Sequence, residues 1–397
     1  MGGSLTDADL ADYHWLVGDA ARPYLRRAAG HIGPLATLAK SLRRDLAVGR
    51  ACLVLEQHVL RQRARDKFAD PEQLFFTRRG LEQATGQPLA RFKAGRFETS
   101  ETVADLCCGI GGDLLELSAR GDAVGVERDG VTALLATANL HQTGRSGWRV
   151  ECQDVRLWAG TDAAAWHLDP DRRSLGSRAS QPERYEPGPD EVWRLLAINP
   201  RGAVKLAPAA RLADERWRQA ELEWIAFDRQ CRQLMAWFGP LARSPGQRVA
   251  TLLGPGGHVA SRIEGSGRQG LQPAAAIGRY LYEPHAGVLA AGLAGTLAAR
   301  HGLTAVAADG GYLTGEDPVS DRSCERFEVL EVLPYDARRI KAVLRQRSVG
   351  PLEIKKRGVA ELPESLRRRL RVPGPDRAVL ILARTERGTT AILARRG

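Results

Sequence analysis

The chain has 397 residues, of which 43% are hydrophobic and 26% charged, an ordinary composition for a globular protein of two or three domains. No stretch approaches the roughly 20 apolar residues that a membrane-spanning helix needs, and the amino terminus lacks the basic and apolar blocks of a signal peptide. We therefore expect a cytoplasmic protein whose six cysteines are reduced thiols. None of these cysteines has the spacing of a zinc ligand, so we expect no metal site.

The positive charge is concentrated at the carboxyl end of the chain. Residues 336–397 contain 17 Lys or Arg and 6 Asp or Glu, so this segment carries +11, which is also the net charge of the whole chain. A positive field of domain size favours a polyanionic partner. The alternative is that an arginine-rich protein is basic without binding any polyanion.

Up to residue 96 the sequence has a helical pattern. Leucines at spacings of 4, 7 and 7 residues predict one apolar helix face, made by Leu42, Leu46, Leu53 and Leu60. The basic cluster Arg61–Phe68 is compatible with a contact to a phosphate backbone, but charged clusters on helices usually form solvated faces, which is the interpretation we favour. We predict a small helical region over residues 1–96.

A short apolar strand, Thr102–Leu106, leads into a glycine-rich turn and a helix. Gly109 and Gly111 allow the backbone to approach a ligand closely. The next strand ends at Glu127, whose carboxylate can accept hydrogen bonds from both hydroxyls of a ribose. The third glycine of a dinucleotide fingerprint is replaced by Leu114, and the lysine of a P-loop is absent. The pattern therefore indicates a nucleotide cofactor, with NAD and ATP disfavoured.

The following strand, Trp148–Cys152, leads at the same strand-end position to Asp154, which is suited to the amino group of an adenine. This order of acidic residues is typical of class I methyltransferases, which bind S-adenosylmethionine. We therefore favour S-adenosylmethionine as the cofactor. A glycine-rich loop alone is a weak signal, and an ordinary strand-to-helix turn is the alternative.

A buried strand predicted at Ala163–Leu168 is followed by Asp169 and Pro170. In class I methyltransferases the residues after this strand face the methyl group. Methyl transfer from a sulfonium is an in-line displacement, so the protein mainly aligns and desolvates the acceptor. Asp169 is suited to holding an acceptor amine, while Pro170 makes the turn rigid. Arg172 and Arg173 are suited to a substrate phosphate, although two solvated loop arginines are the alternative.

The rest of the chain gives a coarser outline. Residues 171–192 are polar and contain three prolines, which predicts a loop without a helix or strand that overhangs the site. Alternating apolar and helical segments over residues 97–316 predict a doubly wound parallel sheet, with a hairpin at Gln247–Leu253 and His258–Arg262. The last eighty residues predict a basic α+β sandwich, in the order strand Phe327–Leu333, helix Asp336–Arg347, strand Leu352–Lys356, helix Pro363–Leu370 and two strands around Gly388.

Some polar residues invite a catalytic interpretation that their contexts do not support. Asn199-Pro200 follows the polar loop, so we interpret it as a structural turn. His141, His167 and His285 lie in ordinary strand or helix contexts, and we interpret each as structural. No cysteine lies near Pro170 in the sequence, so we set aside cytosine C5 chemistry, which needs a cysteine nucleophile.

Several blocks of the sequence match a known pattern. D-L-C-C-G-I-G-G-D at 105–113 resembles a family block D-L-G-C-G-I-G-G-D, and H-L-D-P-D-R-R at 167–173 resembles its D-P-x-R-R signature. Further matches are L-F-F-T-R-R-G-L-E-Q-A-T at 74–85, Y-L-Y-E-P at 280–284 and L-E-I-K-K-R-G-V at 352–359. On these blocks the chain resembles the bacterial class I methyltransferases with a carboxyl-terminal THUMP-like domain.

The resemblance implies an α/β fold: a Rossmann-like class I methyltransferase core at 97–316, an amino-terminal helical region at 1–96 and an α+β THUMP-like domain at 317–397. It implies S-adenosylmethionine as cofactor and, because THUMP domains of better-known relatives bind tRNA or other structured RNA, an RNA substrate by analogy. The implied cofactor-binding residues are Asp105, Cys107, Gly109, Gly111, Glu127 and Asp154, and the implied catalytic residues are Asp169, Pro170 and Arg172.

The chain departs from the family pattern in two places. Cys107 stands where a glycine is usual, and a cysteine with positive φ is strained. The Asp/Asn-Pro-Pro-aromatic signature of amino-group methyltransferases is also missing, so position 172 offers no aromatic ring to stack on a flipped base. Two alternatives to an RNA methyltransferase stay open: a non-catalytic RNA-binding protein with this fold, and a methyltransferase that acts on a protein or a small molecule.

Overall fold

The computed structural model describes residues 7–160, 162–172, 179–307, 309–360, 362–385 and 388–397. Arg173 of the predicted arginine pair lies outside these residues. The chain divides into two compact units, the first made of residues 1–221, 234–245 and 255–258, and the second of residues 222–233, 246–254 and 259–397. The domain boundaries at residues 96 and 316 stay predictions.

Helices build the amino-terminal part of the first unit. In chain order they are α1 (Asp7–Val17), α2 (Arg22–Ala29), α3 (Leu35–Leu42), α4 (Val48–Ala64), α5 (Arg78–Gln83) and α6 (Gln87–Ala94). The four leucines do not lie on one continuous helix, so this prediction is wrong. The chain turns between α3 and α4, and Leu46 lies in that turn. The Asp45 carboxylate in the turn accepts a hydrogen bond from Arg27 of α2 at 2.8 Å. Leu42 and Leu60 are nevertheless both buried in the helical core.

The basic cluster Arg61–Phe68 is solvated only in part. Arg63 is exposed, but Arg61 is buried, and its Nε donates to the Leu74 carbonyl oxygen at 3.0 Å. The Arg61 guanidinium also lies over the Phe75 ring, 5.2 Å from its centroid. Burial lowers the pKa of Arg61 to about 10, with Glu72 opposing the shift. Arg61 therefore fastens the segment after α4 to the helix and does not face solvent.

A parallel sheet follows in the first unit. Its strands are β1 (Val103–Leu106), β2 (Ala123–Glu127), β3 (Trp148–Cys152), β4 (Ala165–Leu168) and β5 (Gly202–Leu206), and the helices between them are α7 (Leu114–Leu117), α8 (Gly130–His141) and α9 (Pro189–Ile198). The order is β3-β2-β1-β4-β5 with parallel neighbours throughout. The predicted strands are confirmed. The carboxyl ends of these strands meet at one edge, which is where open α/β sheets bind ligands.

The parallel alternation ends at β5. Strands β6 (Glu221–Phe227) and β7 (Gln230–Trp237) come next, and the later half of β7 pairs antiparallel with β5. The prediction of an all-parallel sheet up to residue 316 is therefore wrong at β7, which is antiparallel to β5, whereas β6 pairs parallel with the later strand Arg248–Leu253. Asp228 and Arg229 have φ of 50° and 62°, so a tight turn reverses the chain after β6 and leaves no crossover helix.

The polar segment 171–192 was predicted to contain no element, and this is wrong at its carboxyl end. Helix α9 begins at Pro189, with Asp190 and Glu191 in its first turn. Proline suits the first helical position because its missing N–H needs no partner there, and acidic side chains stabilise the positive end of the helix dipole. A short 3₁₀ turn, Pro182–Arg184, precedes the helix.

Asn199 is confirmed as part of a structural turn. Its Nδ2 donates to the carbonyl oxygens of Ala163 and Ala164 at 3.0 and 3.2 Å, and its Oδ1 accepts from the Arg201 N–H at 2.9 Å. The Asn199 carbonyl oxygen also accepts from Nε1 of the buried Trp166 at 2.8 Å. The residue thus connects the start of β5 to the start of β4.

Gly202 is required by the packing of Trp166. A Cβ atom at residue 202 would lie 2.2 Å from Cζ2 of the indole, which is fully buried and has no room to move. We expect Gly202→Ala to lower the free energy of unfolding by about 1–3 kcal/mol, the usual cost of overpacking a core. Urea denaturation measures this change. Gly270→Ala is the control, because a Cβ there meets nothing within 4 Å, and an equal loss in both variants would contradict the packing argument.

The second unit contains β6, the start of β7, and the strands β8 (Arg248–Leu253) and β9 (Val259–Gly265), which form the predicted antiparallel hairpin. It continues with β10 (Tyr280–Pro284), α10 (Ala286–Ala290), α11 (Ala294–His301), β11 (Thr304–Ala305), β12 (Leu313–Gly315), β13 (Cys324–Pro334), α12 (Ala337–Gln346), β14 (Val349–Arg357), α13 (Pro363–Leu370), β15 (Asp376–Thr385) and β16 (Gly388–Arg396). The elements predicted for the last eighty residues are confirmed.

These carboxyl-terminal strands form a mixed sheet in the order β11-β12-β10-β13-β16-β15-β14. Helices α12 and α13 bury their apolar stripes on it, through Ile340, Leu344, Leu366 and Leu370. The arginines of both helices lie on the opposite, polar side. Among the described residues, none of the helices combines the length and the apolar content that crossing a membrane requires.

Candidate functional site

The turn after β1 has the backbone geometry that its glycines allow. Gly109 and Gly111 have φ of 58° and 89°. A Cβ at residue 109 would meet nothing within 4 Å, so the backbone faces open space there, whereas a Cβ at residue 111 would lie 3.7 Å from Ala136 of α8. Gly109 therefore exposes backbone to a ligand, while Gly111 allows the turn to pack on α8. Cys107 has φ of 60°, so it adopts the left-handed conformation, which is strained for a cysteine.

Glu127 holds the glycine turn from the end of β2. Its Oε2 accepts from the Gly109 N–H at 3.0 Å, and its Oε1 accepts from the Asp129 N–H at 2.9 Å. Burial raises the pKa of Glu127, and these two hydrogen bonds oppose the shift. Each carboxylate oxygen keeps a further lone pair for a ligand. The predicted contact with ribose hydroxyls is compatible with this geometry and stays a prediction.

A cavity of about 520 Å³ lies at the carboxyl edge of the parallel sheet, within the size range of cofactor sites. The predicted residues that line it are Cys107, Gly109, Glu127, Asp154, Asp169, Pro170 and Arg172. Residues at both ends of the polar segment after β4 also line it, including Asp171 and Glu186. The structure thus brings together side chains from the ends of β1 to β5.

Asp105 and Gly111 do not line this cavity. Asp105 is buried beneath the turn, and its Oδ1 lies 2.7 Å from Nδ1 of His167, which is buried as well. Its Oδ2 has no hydrogen-bond partner in the part of the chain that the structure describes. Burial raises the pKa of Asp105, and His167 opposes the shift. Asp105 is therefore not placed to contact a cofactor in this cavity, contrary to the prediction. His167 is buried within the sheet, as expected for a structural residue.

Asp154 and the residues beside it form the wall that follows β3. The Asp154 Oδ1 accepts from the Arg156 N–H at 2.9 Å, which closes a short turn. Gln153 and Val155 line the same part of the cavity. At the rim, Arg156 is paired with the Glu186 carboxylate. This wall therefore offers a polar carboxylate beside an apolar side chain, as a purine ring requires.

Cys107 lies on the same cavity wall as Pro170, although the two are far apart in sequence. Cys107 was predicted as a cofactor-binding residue, but its proximity to the residues after β4 was not predicted. Burial raises the pKa of Cys107 well above its ordinary value, and Glu127 raises it further. A protonated thiol is a poor nucleophile.

The segment Thr77–Thr85 forms one wall of the cavity, although sequence reasoning assigned no site residue to it. Gly80 lies against the glycine turn so closely that a Cβ there would be 2.6 Å from Cγ2 of Ile110. Asn139 of α8 fastens the two together, because its Nδ2 donates to the carbonyl oxygens of Phe75 and Ile110 at 3.1 and 2.9 Å. The match of residues 74–85 to the family pattern was the available signal.

A second set of residues that sequence reasoning missed surrounds Asp169. The Lys205 Nζ lies 2.5 Å from the Asp169 Oδ2 and 3.0 Å from the Thr85 Oγ1. Behind Thr85, the Asp113 carboxylate is paired with Lys93 at 2.7 Å. Burial lowers the pKa of Lys93, which Asp113 opposes. Despite its own burial, Asp113 has a lowered pKa because Lys93 lies beside it.

Comparisons with known proteins agree with this architecture. Residues 324–396 match the family described as THUMP domain-like. A Mycobacterium tuberculosis protein named "uncharacterized S-adenosylmethionine-dependent methyltransferase", from strains CDC 1551 / Oshkosh and ATCC 25618 / H37Rv, is 32% identical over 355 residues, covering 86% of this chain and 94% of the relative. The crystal structure of a candidate methyltransferase from Porphyromonas gingivalis W83 superposes over 100% of both chains with a TM-score of 0.77 at 20% identity, which shows a shared fold.

Proposed function

The chain belongs to the family of S-adenosylmethionine-dependent methyltransferases that includes the Mycobacterium tuberculosis protein, and from this we propose that it methylates a structured RNA. The observation that carries the RNA substrate is the charge of residues 336–397, which equals the +11 of the entire chain. Except for the last residue, this segment lies within the part of the chain that matches a THUMP domain-like family. A basic surface of this size attracts the phosphate backbone of a nucleic acid.

The residues of the cavity suit the cofactor. S-adenosylmethionine supplies the methyl group on an electrophilic sulfonium. The exposed backbone at Gly109 leaves space for a close approach, since a Cβ there would project into open space. In our proposal Glu127 binds the ribose hydroxyls, Asp154 binds the adenine amino group, and the turn that starts at Cys107 supports the rest of the cofactor. All four residues line the cavity.

On the acceptor side, we assign binding and orientation to the residues after β4. Asp169 is partly exposed to the cavity, with 25% of its side chain accessible, and its carboxylate accepts a hydrogen bond from the acceptor amine. Pro170 fixes the direction of the chain after Asp169, and Arg172 binds a phosphate of the substrate. This assignment needs no general base, because alignment and exclusion of water are the main requirements of an in-line methyl transfer.

In the second unit, we propose that arginines in α13 and directly after it bind the RNA backbone. Arg367, Arg368 and Arg371 are exposed and line a shallow groove with Leu352 of β14 and Leu370. The groove combines guanidinium groups for phosphates with apolar atoms for a sugar or base. Glu364, at the start of α13, is an acidic residue that also lines the groove.

The expected result of removing this charge is weaker, less salt-dependent binding to RNA. In a variant with Arg367→Gln, Arg368→Gln and Arg371→Gln, we expect the magnitude of the slope of log K against log salt concentration to fall by about 2–3. Each phosphate contact that is lost reduces the number of counterions released when RNA binds. Fluorescence anisotropy with bulk tRNA, repeated at several salt concentrations, measures the slope.

The matched control replaces three other exposed arginines by glutamine, namely Arg26, Arg43 and Arg44 of the first unit. It changes the net charge by the same amount, so an equal effect in both variants would mean that only total charge matters. An unchanged slope in the α13 variant would contradict the proposed RNA surface. If the wild-type protein itself does not bind RNA, the search turns to protein or small-molecule acceptors.

A further inference from the structure

A buried row of charged and polar side chains leads from the interior of the first unit to the cavity. Lys93 is paired with Asp113, whose Oδ2 accepts from the Thr85 hydroxyl at 2.7 Å. Because the Thr85 proton points to Asp113, its oxygen is free to accept from Lys205 at 3.0 Å. Lys205 in turn donates to Asp169 at 2.5 Å. The direction of each hydrogen bond is therefore fixed along the row.

Lys205 is buried, so its ammonium group needs partners that compensate for the loss of water. Its side chain is 8% exposed, and it lies in β5, whose residues are all buried. A buried ammonium group must be paired, and its partners here are the Asp169 carboxylate and the Thr85 hydroxyl. A buried ion pair is weak evidence of stability, since well-packed apolar residues often serve as well. The position of Lys205 therefore calls for an explanation other than stability.

The register of the sheet supplies that explanation. Leu168 of β4 pairs with Val204 of β5, so Asp169 and Lys205 are the next residues along two neighbouring parallel strands. Lys205 thus reaches the Asp169 carboxylate from the side, and one of the two carboxylate oxygens, Oδ2, accepts its hydrogen bond. Both residues line the cavity. The carboxylate is held by one oxygen while the other remains available to a ligand.

We infer that Lys205, supported by Thr85, is a positioning residue that holds the Asp169 carboxylate in the orientation needed by the acceptor. This inference rests on the proposed role of Asp169 in acceptor binding. Thr85 belongs to the amino-terminal helical part of the chain, and through its hydrogen bond to Lys205 this part also helps to orient Asp169. The cofactor residues after β1 and β2 make no hydrogen bond to Lys205 among the described residues, so we expect replacement of Lys205 to leave the Kd of the cofactor unchanged.

The test compares Lys205→Met, Lys205→Arg, Asp169→Asn and the double variant Lys205→Met/Asp169→Asn. The substrate probe is ribosomal and small RNA purified from a source strain with the gene deleted, with methyl-tritiated S-adenosylmethionine. We expect kcat of Lys205→Met to fall about a hundredfold, as for a misplaced reacting group, with the Kd of S-adenosylmethionine unchanged. Lys205→Arg recovers part of the loss. The double variant is no slower than Asp169→Asn alone, because Lys205 acts through Asp169.

Arg201→Met is the matched control, because it removes another ion-paired cation beside β5, the partner of Glu101 at 2.5 Å. We expect it to leave kcat unchanged. Additive losses in the double variant, or full activity of Lys205→Met when Asp169→Asn is inactive, overturn the inference about Lys205. Full activity of Asp169→Asn instead overturns the proposed acceptor role.

A crystal structure of Lys205→Met tests the same inference without any RNA. We expect the Asp169 carboxylate to leave its position or to occupy more than one rotamer, because no other described side chain donates to its Oδ2. An Asp169 that keeps the same single orientation overturns the inference. If the RNA probes are not methylated by the wild-type enzyme, the RNA proposal fails, and this structure still decides the role of Lys205.

Discussion

Asp169→Ala is expected to reduce methyl transfer by about a thousandfold or more while the protein still binds its cofactor. The reason is that Asp169 lies at the end of β4, lines the cavity and presents a carboxylate to the acceptor. Losing both the hydrogen bond and the alignment of the acceptor removes contributions of the size found for oriented reacting groups. Transfer of tritium from S-adenosylmethionine to RNA measures the activity, and calorimetry measures the Kd of the cofactor.

The control for this variant is Asp66→Ala, which removes an exposed carboxylate after α4. It is expected to have the activity of the wild type. Because Asp169→Ala leaves Lys205 with Thr85 as a remaining partner, thermal denaturation must accompany the assay to separate unfolding from loss of catalysis. Wild-type turnover in a folded Asp169→Ala protein would refute the assigned role.

Glu127→Ala is expected to weaken S-adenosylmethionine binding by at least about a hundredfold. The Glu127 carboxylate is the proposed acceptor of two ribose hydrogen bonds, and hydrogen bonds to a charged group contribute about 1.5–3 kcal/mol each. The variant also frees the Gly109 and Asp129 N–H groups, which Glu127 holds at 3.0 and 2.9 Å. The glycine turn therefore loses its support as well as its ligand contact. Calorimetric titration of the folded protein with S-adenosylmethionine measures the change.

Two comparisons sharpen the result for Glu127. Glu127→Gln keeps two polar atoms at the same place and is expected to lose less affinity than Glu127→Ala. Glu98→Ala removes an exposed carboxylate before β1 and is expected to bind the cofactor normally. If Glu127→Ala binds S-adenosylmethionine as tightly as the wild type, the cofactor does not lie across the end of β2.

The strand-end residues were predictable from sequence for a simple reason. The carboxyl ends of parallel strands meet at one edge, so a carboxylate at the end of each strand is placed by the order of the elements alone. Glu127, Asp154 and Asp169 all line the cavity as a result. Asp105 illustrates the limit of this reasoning, because it lies within β1 and its side chain points to His167 below the turn.

The groups around Asp169 were not predictable in the same way. Lys205 and Thr85 are 120 residues apart in sequence, and their contact depends on how the helical segment docks on the sheet. A single lysine in an apolar strand and a threonine in a helical region have no distinctive spacing. The sequence analysis also missed the antiparallel strand β7. The turn before it, at Asp228 and Arg229, lacks the glycine that usually marks a hairpin.

The wall made by Thr77–Thr85 has a consequence for how such an enzyme can evolve. The cavity needs this wall as well as the strand ends, and Gly80 is in close contact with the glycine turn. A recombination event that transferred the sheet without the preceding helices would pass on the carboxylates but not the surface that faces them. The helices and the sheet are therefore expected to be inherited as one genetic segment.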